Sequence, residues 1–273
     1  MILDAPAKLN LCLYLGPPRR DGLHELCSMF EPLPLADRIE VVDAAADEVV
    51  CPAVGGDNLA AAALRALRAR GWDRPPLRVE IEKRIPVAAG LGGASADAAA
   101  VLRLADGELA GVGALAEELG ADVPSQLHPA FCLVRGAGER LEPLPAPSEH
   151  VIALIADEGL STAEVFAQAD RMGLGRDASE LEGVAARLRE AAAGGASPLQ
   201  YGQLLVNDLE PAAIALRPQI GETLEALRSA GAERALISGS GPSAFGLFAD
   251  GGAAGAAASE LGGRAFGLPV GAQ

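Results

Sequence analysis

One short stretch constrains this chain more than any other. Leu77 to Ile81 alternates apolar and polar residues as a half-buried strand does, and Ile85-Pro86 ends that element. Gly90-Leu91-Gly92-Gly93 follows, and an alanine-rich run from about Ala94 to Leu104 reads as a helix. Consecutive glycines permit left-handed backbone conformations and clear side chains from a concavity. Their N–H groups, with the N-terminus of the next helix, can form a nest for a polyphosphate. Ser95 could add a hydroxyl toward phosphate or its cation. A Walker loop is excluded, because no Gly-x-x-x-x-Gly-Lys-Ser/Thr occurs. Gly90-x-Gly92 resembles half of a dinucleotide fingerprint, but Ser95 stands at the third glycine position and an N-terminal βαβ context is lacking. The loop therefore points to phosphate and leaves the nucleotide open.

Around this loop, strands and helices interleave in both halves of the chain, which predicts a two-layer α+β protein. Strands are expected at Ala5 to Leu15, Arg38 to Val42, Phe131 to Val134, Val151 to Ala156, Arg234 to Ile237, Ala244 to Phe248 and Arg264 to Leu268. Gly16 to Pro18 reads as a turn. Asn58 is placed to cap a helix from Leu59 to Arg70, and Ser161 or Thr162 to cap another. Further helices are expected near Leu115 to Leu119, Ser179 to Ala193, Leu209 to Leu216, Ile220 to Ala230 and Ala253 to Leu261. The Gly/Pro-rich stretch from Gly136 to Pro147 is the expected boundary, dividing the chain into 1–148 and 149–273.

With 273 residues, half of them apolar, the chain can bury a substantial core. A formal charge of −15 argues against broad binding to nucleic acid or anionic membrane. A phosphate site must then be local, built from a few cations and backbone N–H groups. Neither a secretory signal nor a transmembrane run is present, and Cys12, Cys27, Cys51 and Cys132 lack metal-site spacing, so a cytoplasmic protein with reduced thiols is expected. Of 22 basic residues only Lys8 and Lys83 are lysine. In so Arg-biased a chain, lysine marks positions where a compact ammonium serves and a planar guanidinium does not, unless chance placed it there.

Several distinctive blocks follow one another along the chain. They are Ala5-Pro-Ala-Lys8-Leu-Asn10, Arg20-Asp21-Gly22-Leu23-His24-Glu25, Pro86 to Ala100, and Gly120-Ala121-Asp122-Val123-Pro124. Gly159 to Phe166, Asn207-Asp208-Leu209-Glu210 and Ser238-Gly239-Ser240-Gly241-Pro242-Ser243 complete the set. Together they resemble the GHMP kinase superfamily over nearly the whole chain. The Asp-Gly-x-His, Gly-Ala-Asp-Val-Pro and Asn-Asp-Leu-Glu blocks narrow the resemblance to members acting on a cytidine-diphosphate-linked methylerythritol. The resemblance implies a two-domain α+β fold, an N-terminal domain like ribosomal protein S5 and a ferredoxin-like C-terminal domain. It implies ATP as phosphoryl donor, Mg²⁺ entering with ATP, and a place in non-mevalonate isoprenoid synthesis. It implies no nucleic-acid or membrane partner, and no protein group is assigned to a metal.

Carried over by position, Lys8 and Asp122 match the family's catalytic pair. Pro86, Ala88, Ala89, Gly90, Leu91, Gly92, Gly93, Ala94 and Ser95 match the ATP phosphate loop, and Asn58 and Lys83 the adenine side. Asn10 matches a residue near the methylerythritol portion, His24 the histidine that recognises cytosine, and Phe166 an aromatic beside the base. Gly239 and Gly241 match glycines lining the cleft. On local sequence alone, Asp122 can be a common loop carboxylate and Lys8 a strand-edge charge, while position favours a turn residue for His24 and core for Phe166. The sequence departs from the family at Leu23, usually Tyr, which costs one stacking face worth roughly 1 kcal/mol. It departs again at Ala94 and Ala96, which replace Gly and Ser. Two rivals remain: a GHMP kinase for an uncytidylated alcohol, and a silent binding protein of the same fold.

Overall fold

The computed structural model describes residues 1–55, 58–157 and 159–269. Two long strands open the chain, β1 (Ile2–Pro18) and β2 (His24–Asp43), followed by β3 (Glu48–Val50), α1 (Leu59–Ala69) and β4 (Leu77–Glu82). Helices α2 (Gly93–Arg103), α3 (Val112–Leu119) and α4 (Val123–Leu127) come next, then β5 (Cys132–Gly136) and β6 (Arg140–Pro143). The remainder runs β7 (His150–Ile155), α5 (Thr162–Met172), α6 (Ala178–Ala192), α7 (Glu210–Leu216) and α8 (Gln219–Ser229). It closes with β8 (Arg234–Ile237), β9 (Ala244–Phe248), α9 (Gly251–Glu260) and β10 (Arg264–Leu268). None of the helices among the described residues is long and apolar enough to cross a membrane.

The chain forms two compact units that interleave along the sequence. One holds residues 1–7, 34–87 and 92–129; the other holds 8–33, 88–91 and 130–273. The division expected near 148 is sequential, whereas β1 and β2 each contribute residues to both units. In the first unit, β2 pairs antiparallel with β4, Ile39 opposite Ile81 and Val41 opposite Val79, and β3 adds to β4 in parallel. These residues pack against the apolar stripe of α1 (Ala60, Ala63, Leu64 and Leu67) and against buried Ala96, Ala98, Ala99 and Ala100 of α2. Asn58 caps α1 as expected, its side chain accepting the Ala61 N–H at 2.8 Å.

In the second unit, the first half of β2 pairs with β5, which forms a hairpin with β6. A separate antiparallel sheet has the order β10-β7-β9-β8. With α8 before β8 and α9 between β9 and β10, this is the βαββαβ ferredoxin-like arrangement, into which α5, α6 and α7 are inserted after β7. Its core contains Ala153, Ile220, Leu224, Leu227, Ile237, Phe248 and Ala254. Ser161 caps α5 through the Glu164 N–H, and Asp177 and Glu180 close a reciprocal capping box on α6.

Two expectations about elements change. Gly16 to Pro18 continues β1, and the chain turns later, where Arg19 N–H bonds Leu23 O and Gly22 N–H bonds Arg19 O. A Cβ on Gly16 would stand 2.8 Å from the Glu25 carbonyl, so this glycine serves close backbone approach rather than a turn. The strand expected at Arg38 to Val42 is the end of a 20-residue β2, whose earlier part Pro32 and Pro34 disguise.

Candidate active site

In the second unit, Lys8 lies on β1 and is buried, only 4% exposed. Its backbone N–H donates to Leu91 O at 3.0 Å, which ties β1 to the glycine turn. Its ammonium donates to Asn10 Oδ1 at 2.5 Å and lies 4.6 Å from the centre of the Phe30 ring. The Asn10 amide donates in turn to Ser28 Oγ at 2.9 Å, and its backbone N–H donates to Ser238 Oγ at 3.1 Å. Ser238 Oγ donates onward to Gly90 O at 3.0 Å. Three blocks far apart in sequence therefore meet at one place.

Two glycines are forced there. Gly90 has φ +77°, and a Cβ on it would stand 2.2 Å from Ser238 O. Gly239 has φ +58°, and its Cβ would stand 3.1 Å from Asn10 Oδ1 and 3.7 Å from Lys8 Nζ. Gly241 also has positive φ but meets only ordinary contacts, the nearest at 3.4 Å. Asn207 pins this turn, its amide donating to Ile237 O at 2.9 Å and to Gly239 O at 2.8 Å. Asp208 beside it holds the Arg176 guanidinium through both oxygens, at 2.6 and 2.7 Å. The Asn-Asp-Leu-Glu block thus works as the brace of the Ser-Gly-Ser-Gly turn.

His24 and Phe166 come together in the same unit, ring centres 5.4 Å apart and planes tilted by 40°. Phe166, on α5, is half-buried rather than a core residue. His24 Nε2 sits 2.8 Å from Asp170 Oδ1, one helical turn beyond Phe166. A carboxylate only accepts, so Nε2 carries the hydrogen of this contact. Leu23, where the family has Tyr, is 49% exposed.

The first unit holds the rest. Gly92 has φ +73° and precedes α2, which Gly93 begins; no acidic residue occupies its first turn and no side chain caps it. Its leading N–H groups retain the capacity for an anion. Ala94 is exposed and Ser95 half-buried, while Ala89 and Leu91 in the second unit are buried and Ala88 takes φ +54°, unusual for a residue with a side chain. Pro86 is half-buried at the exit from β4. Asp122 directly precedes α4, and its carbonyl accepts from Ser125 Oγ at 2.7 Å, while its carboxylate does not cap that helix.

Lys83 departs most from expectation. Its ammonium bridges Asp37 and Asp97, the latter at 2.8 Å, so it serves an internal ion triad. Burial would lower this ammonium, but the two carboxylates outweigh it and raise the pKa. Burial pushes the Asp97 carboxyl up to about 7 against the opposing pull of Lys83. Asp37 Oδ1 also accepts the N–H groups of Arg84, at 2.6 Å, and Ile85, at 2.8 Å, which fixes the exit from β4. Two of the three N–H donors of the Lys83 ammonium are committed to carboxylates. Ser28, Phe30, Asp170 and Ser238 were assigned no role from sequence; Ser238 was at least inside a recognised block, whereas the others carry no local signal.

Residues 58–128 match the family described as GHMP kinases N terminal domain, and residues 178–267 match GHMP kinases C terminal. A 4-diphosphocytidyl-2-C-methyl-D-erythritol kinase of Anaeromyxobacter dehalogenans (strain 2CP-C) is 43% identical, covering 100% of this chain and 88% of its own. The kinase of the same name from Streptomyces coelicolor is 40% identical over 90% of this chain and 86% of its own. A crystal structure of 4-(cytidine 5'-diphospho)-2C-methyl-D-erythritol kinase superposes with a TM-score of 0.79 at 35% identity, covering 98% of both chains.

Proposed function

Because the chain belongs to the 4-diphosphocytidyl-2-C-methyl-D-erythritol kinases of the GHMP kinase superfamily, we propose that it phosphorylates the 2-hydroxyl of that cytidylated alcohol with ATP. The products are ADP and the 2-phosphate, in non-mevalonate isoprenoid precursor synthesis. The observation that carries the reading is similarity to curated kinases over the whole chain, joined to the buried Lys8–Asn10 centre. The functional division proposed is 1–148 and 149–273, although the compact units interleave across that boundary. Four free cysteines, all buried, favour a cytoplasmic location.

The alcohol oxygen attacks the γ-phosphorus, the bond to the β–γ bridging oxygen breaks, and ADP leaves with that electron pair. Asp122 orients the hydroxyl and accepts its proton. Lys8 stabilises charge on the transferring group. Gly90 to Ser95 present backbone N–H groups to the phosphates. Among the described residues no cluster of three or more His, Cys, Asp or Glu is placed to hold a metal ion. Mg²⁺ entering with ATP would be held mainly by phosphate oxygens and water, and the Ser95 hydroxyl is the protein oxygen that could join them. When bound, the ion neutralises phosphate charge. His24 reads the cytosine edge beside Phe166, and Asn10 faces the methylerythritol portion.

The test is ADP release across a panel holding the cytidylated alcohol, its uncytidylated counterpart, mevalonate and homoserine. Turnover confined to the cytidylated alcohol is expected. Preference for an uncytidylated alcohol overturns the substrate assignment, and no turnover on any member overturns the kinase.

A further inference from the structure

Resting on the assignment of Lys8 as a catalytic group, we propose that Ser28 is a positioning residue that fixes the Asn10 amide and, through it, the Lys8 ammonium. Ser28 lies on β2, outside every sequence block that suggested function, and is fully buried.

Hydrogen-bond polarity carries the argument. Ser28 Oγ is 2.5 Å from the Cys12 carbonyl oxygen, which can only accept, so the single hydroxyl proton points there. Toward Asn10 the hydroxyl then has lone pairs alone. The Asn10 group 2.9 Å away must be its NH₂, and the opposite end of the amide, Oδ1, is thereby turned to Lys8 Nζ. An ammonium only donates, so both ends of the amide agree. A flipped amide would set NH₂ against the ammonium and oxygen against the Ser28 lone pairs. The direction of the chain, Lys8 to Asn10 to Ser28 to Cys12 O, is fixed at one end by the ammonium and at the other by the Ser28 hydroxyl, which holds the amide plane between them.

Two further features make this relay specific. Phe30, two residues along β2 and therefore on the same strand face, puts its ring 4.6 Å from the ammonium. Ser28 and Phe30 thus hold Lys8 from one strand. The Asn10 backbone is anchored separately, through Ser238 Oγ at 3.1 Å. Removing the Ser28 hydroxyl releases the amide to rotate while the β1 backbone stays in place. The expected damage is misplacement of the ammonium rather than collapse of the strand.

The experiment is a double-mutant cycle of Ser28→Ala and Asn10→Ala, with Lys8→Ala measured beside it. Ser28→Ala alone should lower kcat by about 10- to 100-fold, the scale of an ångström-sized misplacement, with KM for ATP held within about twofold. In the Asn10→Ala background it should add less than about twofold, because its route to Lys8 is already cut. Loss of the bond to the Cys12 carbonyl should lower Tm in both backgrounds alike. If Ser28→Ala does not fold, Ser28→Cys keeps the side-chain size with a much weaker hydrogen-bonding group, and the same cycle applies. Parental kcat in folded Ser28→Ala beside an inactive Lys8→Ala overturns the relay and leaves Lys8 in place. Equal kcat losses in both backgrounds reduce Ser28 to packing and also overturn it. Near-parental turnover by folded Lys8→Ala overturns the assignment on which the proposal rests.

Discussion

Gly239→Ala separates the backbone cost of a substitution from its effect on chemistry. Gly239 has φ +58°, a conformation that costs alanine about 1–2 kcal/mol. For a chain of this size that is a fall in Tm of about 2–4 °C per kcal/mol. The new methyl would stand 3.1 Å from Asn10 Oδ1, so the amide must give by a few tenths of an ångström. Ser28 holds the other end of that amide, and Lys8 Nζ is only 3.7 Å from the methyl, so the push falls on the ammonium. We expect kcat to drop by about 10- to 100-fold. Gly262→Ala is the matched control: φ is +72°, and nothing lies within 4 Å of its Cβ. Both variants should lose a similar few degrees in a thermal melt, and Gly239→Ala alone should lose turnover in an ADP-release assay. Parental kcat in Gly239→Ala, or matching kcat losses in the two variants, would refute the reasoning.

Asp122→Asn keeps size and hydrogen bonding but removes the proton acceptor; single-turnover transfer at saturating substrates should slow by about 10²–10⁴-fold while both ligands still bind. Transfer within a few-fold of the parent would remove Asp122 from the chemistry. Asp170→Asn can donate to His24 Nε2 and so frees the other ring tautomer; the kcat/KM ratio of cytidine- to uridine-diphosphate-linked substrate should fall, and an unchanged ratio would count against that reading of His24. His150 sits 3.1 Å from Glu31 in the core; burial would lower its pKa, but the bond and charge of Glu31, with the Ser148 carbonyl, outweigh that and raise it. The pair's stabilisation is therefore full below the unfolded value near 6.5 and is lost as pH rises through the higher folded value. Glu31→Gln should be less stable than the parent at pH 6, with the gap closing toward pH 9 in denaturant titrations; a gap independent of pH would exclude this linkage.

Much of the scaffold was legible because its signals are local. Asn58 and Ser161 announce their helices by cap chemistry, and the β8–β9 hairpin by its glycine turn. The part of β2 before Arg38 was not legible, because Pro32, Pro34 and Asp37 break its alternation and are tolerated only in tertiary context. Asp37 shows why: it is fully buried, yet it meets Lys83 and two backbone N–H groups. Nothing within β2 foretells those partners. The same limit applied at the site. Lys8 and the glycine blocks stood out by composition and resemblance, whereas Ser28 and Phe30 matter only because folding brings β2 to the Lys8 side chain. The two rare lysines invited one explanation and received two, one ammonium at the candidate catalytic centre and one inside an ion triad.

That division bears on how an acidic protein holds a polyphosphate. With a net charge of −15 the long-range field repels ATP, and ions at physiological strength screen it beyond about 8 Å. Lys83 does not offset it locally, since its charge is taken up by Asp37 and Asp97. At close range, the N–H groups at the uncapped start of α2 offer a positive dipole end of the kind that holds phosphate. Such contacts act over a few ångströms and depend on direction. The buried polar residues of the second unit answer that need. Ser238 sets the Asn10 backbone against the Gly90 carbonyl, and Ser28 sets the direction of the Asn10 amide. In a molecule whose overall charge works against its substrate, the orientation of a few hydrogen bonds matters more than the number of cations.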